Sequence, residues 1–142
     1  MRKEVIGDCT LYLGDCLAVM PTLGQCADMI LCDPPYLLTS GGNGDYADWH
    51  LAHDYDNSGK IVECNIEWSD FMPLFENSMK ESTHCYVMCN NRHVKEMLVS
   101  AEDAKLRFHN LLVWDKMSCT PNRWYMKNLE FVGFFYKGKA KF

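Results

Sequence analysis

The sequence predicts an α/β fold, a parallel sheet carrying an antiparallel pair at its edge. Three observations lead there. Apolar runs of strand length recur at Ala27–Cys32 and at residues 84–89, 108–114 and 129–136. Segments with helical spacing separate the first run from the second and the second from the third, the order of a parallel sheet. Residues 115–128 between the last two runs hold no helix of useful length, so those two strands pair antiparallel.

Taken in order, Glu4-Val5-Ile6 and Thr10-Leu11-Tyr12-Leu13 flank the turn dipeptide Gly7-Asp8, which predicts a short hairpin. Residues 16–20 form a helical turn that Pro21 stops. The unbroken apolar run Ala27–Cys32 predicts a strand buried on both faces. Residues 37–60 are rich in Gly, Asp and Asn with few periodic apolar positions. That is a long loop, of a length usually tied to function or disorder. Ser69 or Asp70 then caps a helix carrying Phe71, Met72, Leu74, Phe75 and Met79. Residues 84–89 are a second buried strand. Residues 94–106 are a helix with Met97, Leu98, Ala101 and Ala104 toward the core.

Composition narrows the class. At 142 residues, nearly half of them apolar, the chain has the size and make-up of one globular domain. Its apolar runs are too short to span a bilayer, and no signal-like stretch follows the first residues, so a cytoplasmic address is expected. The eight cysteines lack CxxC spacing and several sit in apolar runs, which argues against a disulfide framework or a zinc site; no metal is expected. His50 and His53 lie among acids in the long loop, where a solvated role is simplest. Net charge is −5, but it is unevenly spread. Seven acids against Lys60 fall between Asp45 and Asp70, and six bases against Glu130 fall from Lys116 onward. The basic stretch reads equally as a solvated tail or as a phosphate-contacting surface.

The segment richest in chemistry is Asp33-Pro34-Pro35-Tyr36, placed where the first buried strand ends. In sheets of this class, ligands bind at the carboxyl ends of strands. Two prolines stiffen the backbone and remove two N–H donors, leaving an acceptor-only corner. The Asp33 carboxylate and the Pro34 carbonyl together suit a group with two hydrogens, such as an exocyclic amine. Tyr36 offers a face for a planar base, worth about 1–3 kcal/mol. Two acceptors that draw the hydrogens of an aromatic amine out of plane free its lone pair for in-line attack on a sulfonium methyl. Catalysis then rests on positioning and electrostatics, without a covalent intermediate. The base must first leave its stack. The alternative is that the tetrapeptide is simply a rigid turn after a strand.

The chain resembles the amino-methyltransferases of bacterial and phage origin that methylate adenine N6 or cytosine N4 in DNA. The residues that carry the resemblance are Gly14-Asp15-Cys16-Leu17, Ala27-Asp28-Met29-Ile30-Leu31-Cys32-Asp33-Pro34-Pro35-Tyr36, Tyr86-Val87-Met88-Cys89-Asn90-Asn91, Leu112-Val113-Trp114-Asp115-Lys116, Asn128-Leu129-Glu130-Phe131 and Tyr136-Lys137-Gly138-Lys139. Their order is similar to the β-type arrangement, in which the catalytic half precedes the cofactor half. The resemblance implies a partial Rossmann-like methyltransferase fold with residues 1–142 as one truncated catalytic domain. It implies S-adenosylmethionine as cofactor and DNA as partner, in a restriction-modification setting. It casts Asp33, Pro34, Pro35 and Tyr36 as catalytic and sets Asp15 and Cys16 beside the cofactor. Asp in first place of the tetrapeptide favours adenine. Lys116, Arg123, Trp124 and Lys127 are expected to contact DNA.

The family's glycine-rich cofactor turn has no match here, since Gly41-Gly42-Asn43-Gly44 is not followed by a helical pattern. A complementary cofactor-binding half, or a homodimer, is therefore expected as partner, with little cofactor affinity in this chain alone. The first strand is then expected to show an open edge. An inactive remnant or split half, and a cytosine-N4 or RNA methyltransferase, are the competing expectations.

Overall fold

The computed structural model describes residues 1–34, 66–120 and 127–140, the side chains of 118–120 and 127 excepted. The chain divides into one compact unit, Met1–Pro34 with Glu67–Phe142, and a second, Pro35–Ile66, which apart from Ile66 lies outside the described residues. The expectations placed on the long loop, including the glycines at 41, 42 and 44 and both of its histidines, fall there.

The first unit opens with the expected hairpin. β1 (Arg2–Ile6) pairs antiparallel with β2 (Cys9–Leu13), Ile6 opposite Cys9, around Gly7 at φ +58°. Only glycine takes that backbone readily, which is why the turn sits there. α1 (Cys16–Val19) is a single turn that passes into a 3₁₀ turn, Met20–Thr22, containing Pro21.

A four-stranded sheet follows, built from β3 (Ala27–Cys32), β4 (Met79–Cys89), β5 (Arg107–Thr120) and β6 (Lys127–Tyr136) in the order β3-β4-β6-β5. β3 and β4 run parallel; β6 is antiparallel to both neighbours. The sheet is α/β and mixed as expected, with β5 and β6 an antiparallel pair at the edge, but only β3 and β4 pair in parallel, because β6 inserts between β4 and β5. Between the strands lie α2 (Trp68–Ser78) and α3 (Val94–Asp103).

The core forms on one face of the sheet. α2 buries Trp68, Phe71, Met72 and Phe75, spaced as one helical stripe, and α3 buries Met97 and Ala101. They meet Cys85, Val87 and Cys89 of β4 and Phe135 of β6, all fully buried. Gly133 is required here. A β-carbon on it would lie 2.7 Å from Met97 Cε, so the strand meets α3 closely only because that position is bare. Lys137 ties the end of β6 to α2. It is 6% exposed, and its ammonium donates to the Glu76 carbonyl at 2.7 Å and pairs with the Glu76 carboxylate at 3.1 Å.

Several boundaries differ from the sequence reading. α2 starts at Trp68 with Glu67 as N-cap residue, and Asp70 is the third helical residue, accepting the Glu67 N–H at 2.9 Å. Asp70 therefore caps from inside the helix, the acid of a capping box, and neither it nor Ser69 is the cap position. Met79 belongs to β4 rather than to the helix. α3 stops at Asp103 because Lys105 turns left-handed at φ +64°, leaving Leu106 to return toward the core. β5 extends through the expected loop to Thr120.

β3 corrects the largest expectation. Its run is not covered on both faces, since Met29 and Leu31 are 57% and 63% exposed. Among the described residues β3 is also the sheet's edge, in keeping with the open edge expected there. The helices cover only the other face, so the alternate residues point outward.

Candidate active site

The register assigns each residue to a face. In a parallel pair, partners share a face. Cys32 is opposite Val87, and Val87 is opposite Gly133, which faces α3. Cys32 is thus on the helix side. Leu31, opposite Tyr86, is on the other side, where Tyr86 stacks on Phe134 with centroids 4.7 Å apart. Alternation carries Asp33 to that same outer face, just past the carboxyl end of β3. Phe131 is opposite the buried Cys89, so Glu130 faces outward, opposite Trp114 of β5.

Asp33, Glu130, Trp114 and Lys116 therefore share one face at one end of the sheet. Lys116 forms an ion pair with Glu130, both side chains half-buried. Burial raises the Asp33 carboxyl above its ordinary value, the nearby Glu130 carboxylate adds to the rise, and Lys116 opposes it. Asp33 is exposed, and among the described residues no hydrogen bond to its carboxylate is found. Pro34 is buried against the unit and holds the corner in place.

Asp15 and Cys16 come to the same end. Asp15 is the N-cap of α1, its Oδ1 accepting the Leu17 N–H at 2.9 Å. Cys16 begins that helix and lies near enough to Cys32 to act on its thiol. Burial is the main cause that pushes Cys32 up to about 11, with Asp33 and then Cys16 adding to it. Cys85 and Cys89 are pushed up to about 12, again chiefly by burial. These thiols are protonated packing groups rather than nucleophiles.

The other candidates divide. Pro35, Tyr36, Arg123 and Trp124 lie outside the described residues, as does the side chain of Lys127, whose backbone opens β6 opposite Thr120. Of the basic stretch, Lys137 is buried on Glu76 and Lys116 is engaged by Glu130, so neither belongs to a solvated tail. Glu130 is the site residue that sequence reasoning left off its candidates. Its signal was available: one acid at an outward position of an otherwise apolar strand, with a base two residues beyond its cross-strand partner.

No protein-family model matches the sequence, and no curated protein matches it. Solved structures do. TTHA0409 of Thermus thermophilus, which carries the provisional name DNA modification methylase, superposes in its complex with S-adenosyl-L-methionine at a TM-score of 0.61 and 12% identity, covering 92% of this chain and 56% of that one. Its selenomethionine derivative gives 0.58 at 12% identity, over 89% and 52%. The M1.HpyAVI–SAM complex matches over 56% of this chain and 42% of its own at 18% identity, with a TM-score of 0.49, too partial to add to the argument. The likeness to TTHA0409 establishes an α/β methyltransferase-like fold. This chain spans about half the length of the structures it matches.

Proposed function

We propose that this chain carries the catalytic segment of an S-adenosylmethionine-dependent DNA methyltransferase that acts on the exocyclic N6 amine of adenine. One observation carries the reading: the Asp33-Pro34 corner stands at the carboxyl end of parallel strand β3, its carboxylate accessible and free of hydrogen bonds to the described residues. The position is the one where ligands meet sheets of this class.

The roles follow from the residues. Asp33 and the Pro34 carbonyl accept the two amine hydrogens and orient the nitrogen, and Tyr36 supplies a stacking face. Asp15 and Cys16 are assigned to the cofactor; their exposure and the proximity of Cys16 to Cys32, beside Asp33, support this. A carboxylate with one oxygen on the Leu17 N–H and the other accessible suits a nucleoside hydroxyl or amine. The cofactor, when bound, supplies an electrophilic methyl group. The contribution of the chain is then orientation and exclusion of competing geometries.

A second reading has its own support. β3 ends the sheet with Met29 and Leu31 outward, and the superposed structures are about twice as long. On that reading the chain works as one half of an enzyme completed by a cofactor-binding half or a second copy.

The test is transfer of labelled methyl from S-adenosylmethionine to duplex DNA by the purified protein, followed by nucleoside mass spectrometry. N6-methyladenine that disappears in a folded Asp33→Ala variant is the expected outcome. N4-methylcytosine, or transfer to RNA only, would redirect the substrate. No transfer, with calorimetry showing no cofactor binding, would favour the second reading.

A further inference from the structure

We propose that the Lys116–Glu130 ion pair is a positioning device for Asp33, holding a second carboxylate on the same face and at the same end of the sheet so that the amine-binding corner works as a coupled pair of acids. The inference rests on reading Asp33 as the amine acceptor.

The architecture brings them together. β4 alone separates β3 from β6; Val132 lies level with Asp33 and Glu130 two residues further along, so the two backbones are roughly 12 Å apart, with both side chains on one face. Glu130 cannot swing freely. Its carboxylate is engaged by Lys116, from the strand on its far side, and the pair is half-buried. A half-buried glutamate between partly buried Phe131 and Val132 on one side and exposed Leu129 on the other costs desolvation that the lysine offsets. Trp114 is the cross-strand partner of Glu130 in the register.

The chemistry gives the pair a use. An amine that gains a methyl group gives up one proton, and the carboxylate already accepting one of its hydrogens is the receiver in line. A neighbouring negative charge makes Asp33 a stronger proton acceptor, and the lysine opposes that effect. The charges acting on Asp33 agree in sign with this arrangement, Glu130 raising its proton affinity and Lys116 lowering it. Among the described residues the titratable groups nearby are Cys32 in its own strand, Cys16 at the start of α1, Cys89 of β4, which lies on the helix face yet feels Glu130's charge, and Asp115, next to Lys116 and hydrogen-bonded by Asn128.

Carboxyl-resolved NMR titration of the intact chain tests this without requiring turnover. Glu130→Gln is expected to shift the Asp33 midpoint down, and Lys116→Met to shift it up, while Lys116→Arg keeps the wild-type curve. Raising the salt concentration is expected to shrink both shifts. A merely structural pair would lower the denaturation midpoint in both variants and leave the Asp33 titration in place; that outcome overturns the proposal, as do shifts of the same sign. Should Lys116→Met fail to fold, the Glu130→Gln and Lys116→Arg curves still decide it. A null result in the methylation assay leaves this titration informative, and an unmoved titration leaves the Asp33→Ala result standing.

Discussion

Replacing Gly133 by alanine tests how tightly the sheet is held against α3. Gly133 is opposite both Val87 and Leu111, in the middle of the sheet. An added β-carbon would meet Phe135 Cε2 at 2.5 Å, Met97 Cε at 2.7 Å and Phe135 Cζ at 2.8 Å. Carbon atoms in contact prefer about 3.5–4.0 Å, so each approach is about 1 Å too close. Phe135 and Met97 are fully buried, so either must shift within the packed core to make room. Overpacking of this kind costs about 1–3 kcal/mol. Alanine recovers roughly 0.5–1 kcal/mol of that through the backbone entropy glycine loses in a strand. The net expectation is a loss of about 0–2.5 kcal/mol, centred near 1, or roughly 3–4 °C in Tm at that centre for a chain of this size. Urea titration followed by circular dichroism measures it. Met97→Ala in the same background should cost about 1 kcal/mol less than the sum of the single changes, because the new methyl enters the space that Met97 vacates. A Gly133→Ala variant at or above the wild-type midpoint, or strictly additive costs, would refute the close-approach argument.

Two further outcomes follow from the site. Because the Asp33 carboxyl is raised in the folded protein, its ionisation opposes folding: the cost is absent below the ordinary carboxylate range and complete above the raised value. Asp33→Asn should therefore unfold at higher urea than wild type at pH 7, by no more than about 0.5 kcal/mol since the group is accessible, and match it near pH 3; a less stable variant at pH 7 would contradict this. In alkylation at pH 8 read by site-resolved mass spectrometry, among the described cysteines Cys9, Cys16 and Cys26 should react first and Cys85 and Cys89 last. With pKa values of about 11 for Cys32 and about 12 for Cys85 and Cys89, their thiolate fractions are on the order of one in a thousand and one in ten thousand. Native-state labelling of Cys85 at the rate of Cys9 would show that the sheet's helix face is open.

Much of this arrangement was legible in the residues because it is local or periodic. The Gly7-Asp8 turn, the strand of 84–89 and the stripe of α2 each follow from spacing within a dozen positions. The placement of Asp33 at a strand end follows from Ala27–Cys32 and the prolines behind it. What escaped depends on partners distant in sequence. Which face of β3 is covered depends on where α2 and α3 pack, and an apolar run reads the same whether or not a neighbour arrives. Glu130 matters through Lys116 and Asp33, 14 and 97 positions away in the chain, and only the register brings them together. Lys137 looked like one more base in a basic stretch until its contact with Glu76, 61 residues back, showed it as a buried clamp.

The open side of β3 has a consequence for handling as well as for catalysis. Unsatisfied backbone groups along an edge strand form a template that any extended polypeptide can extend, including a partly unfolded copy of the same chain. The Asp28 carboxylate, held by Lys80 at 2.8 Å, places charge at one end of that edge and interrupts its apolar row only there. Self-association through the remaining Met29–Leu31 stretch would rise with concentration regardless of how stable the fold is. Among the described residues, what caps that edge then matters to the protein's behaviour in concentrated solution as much as its fold stability does.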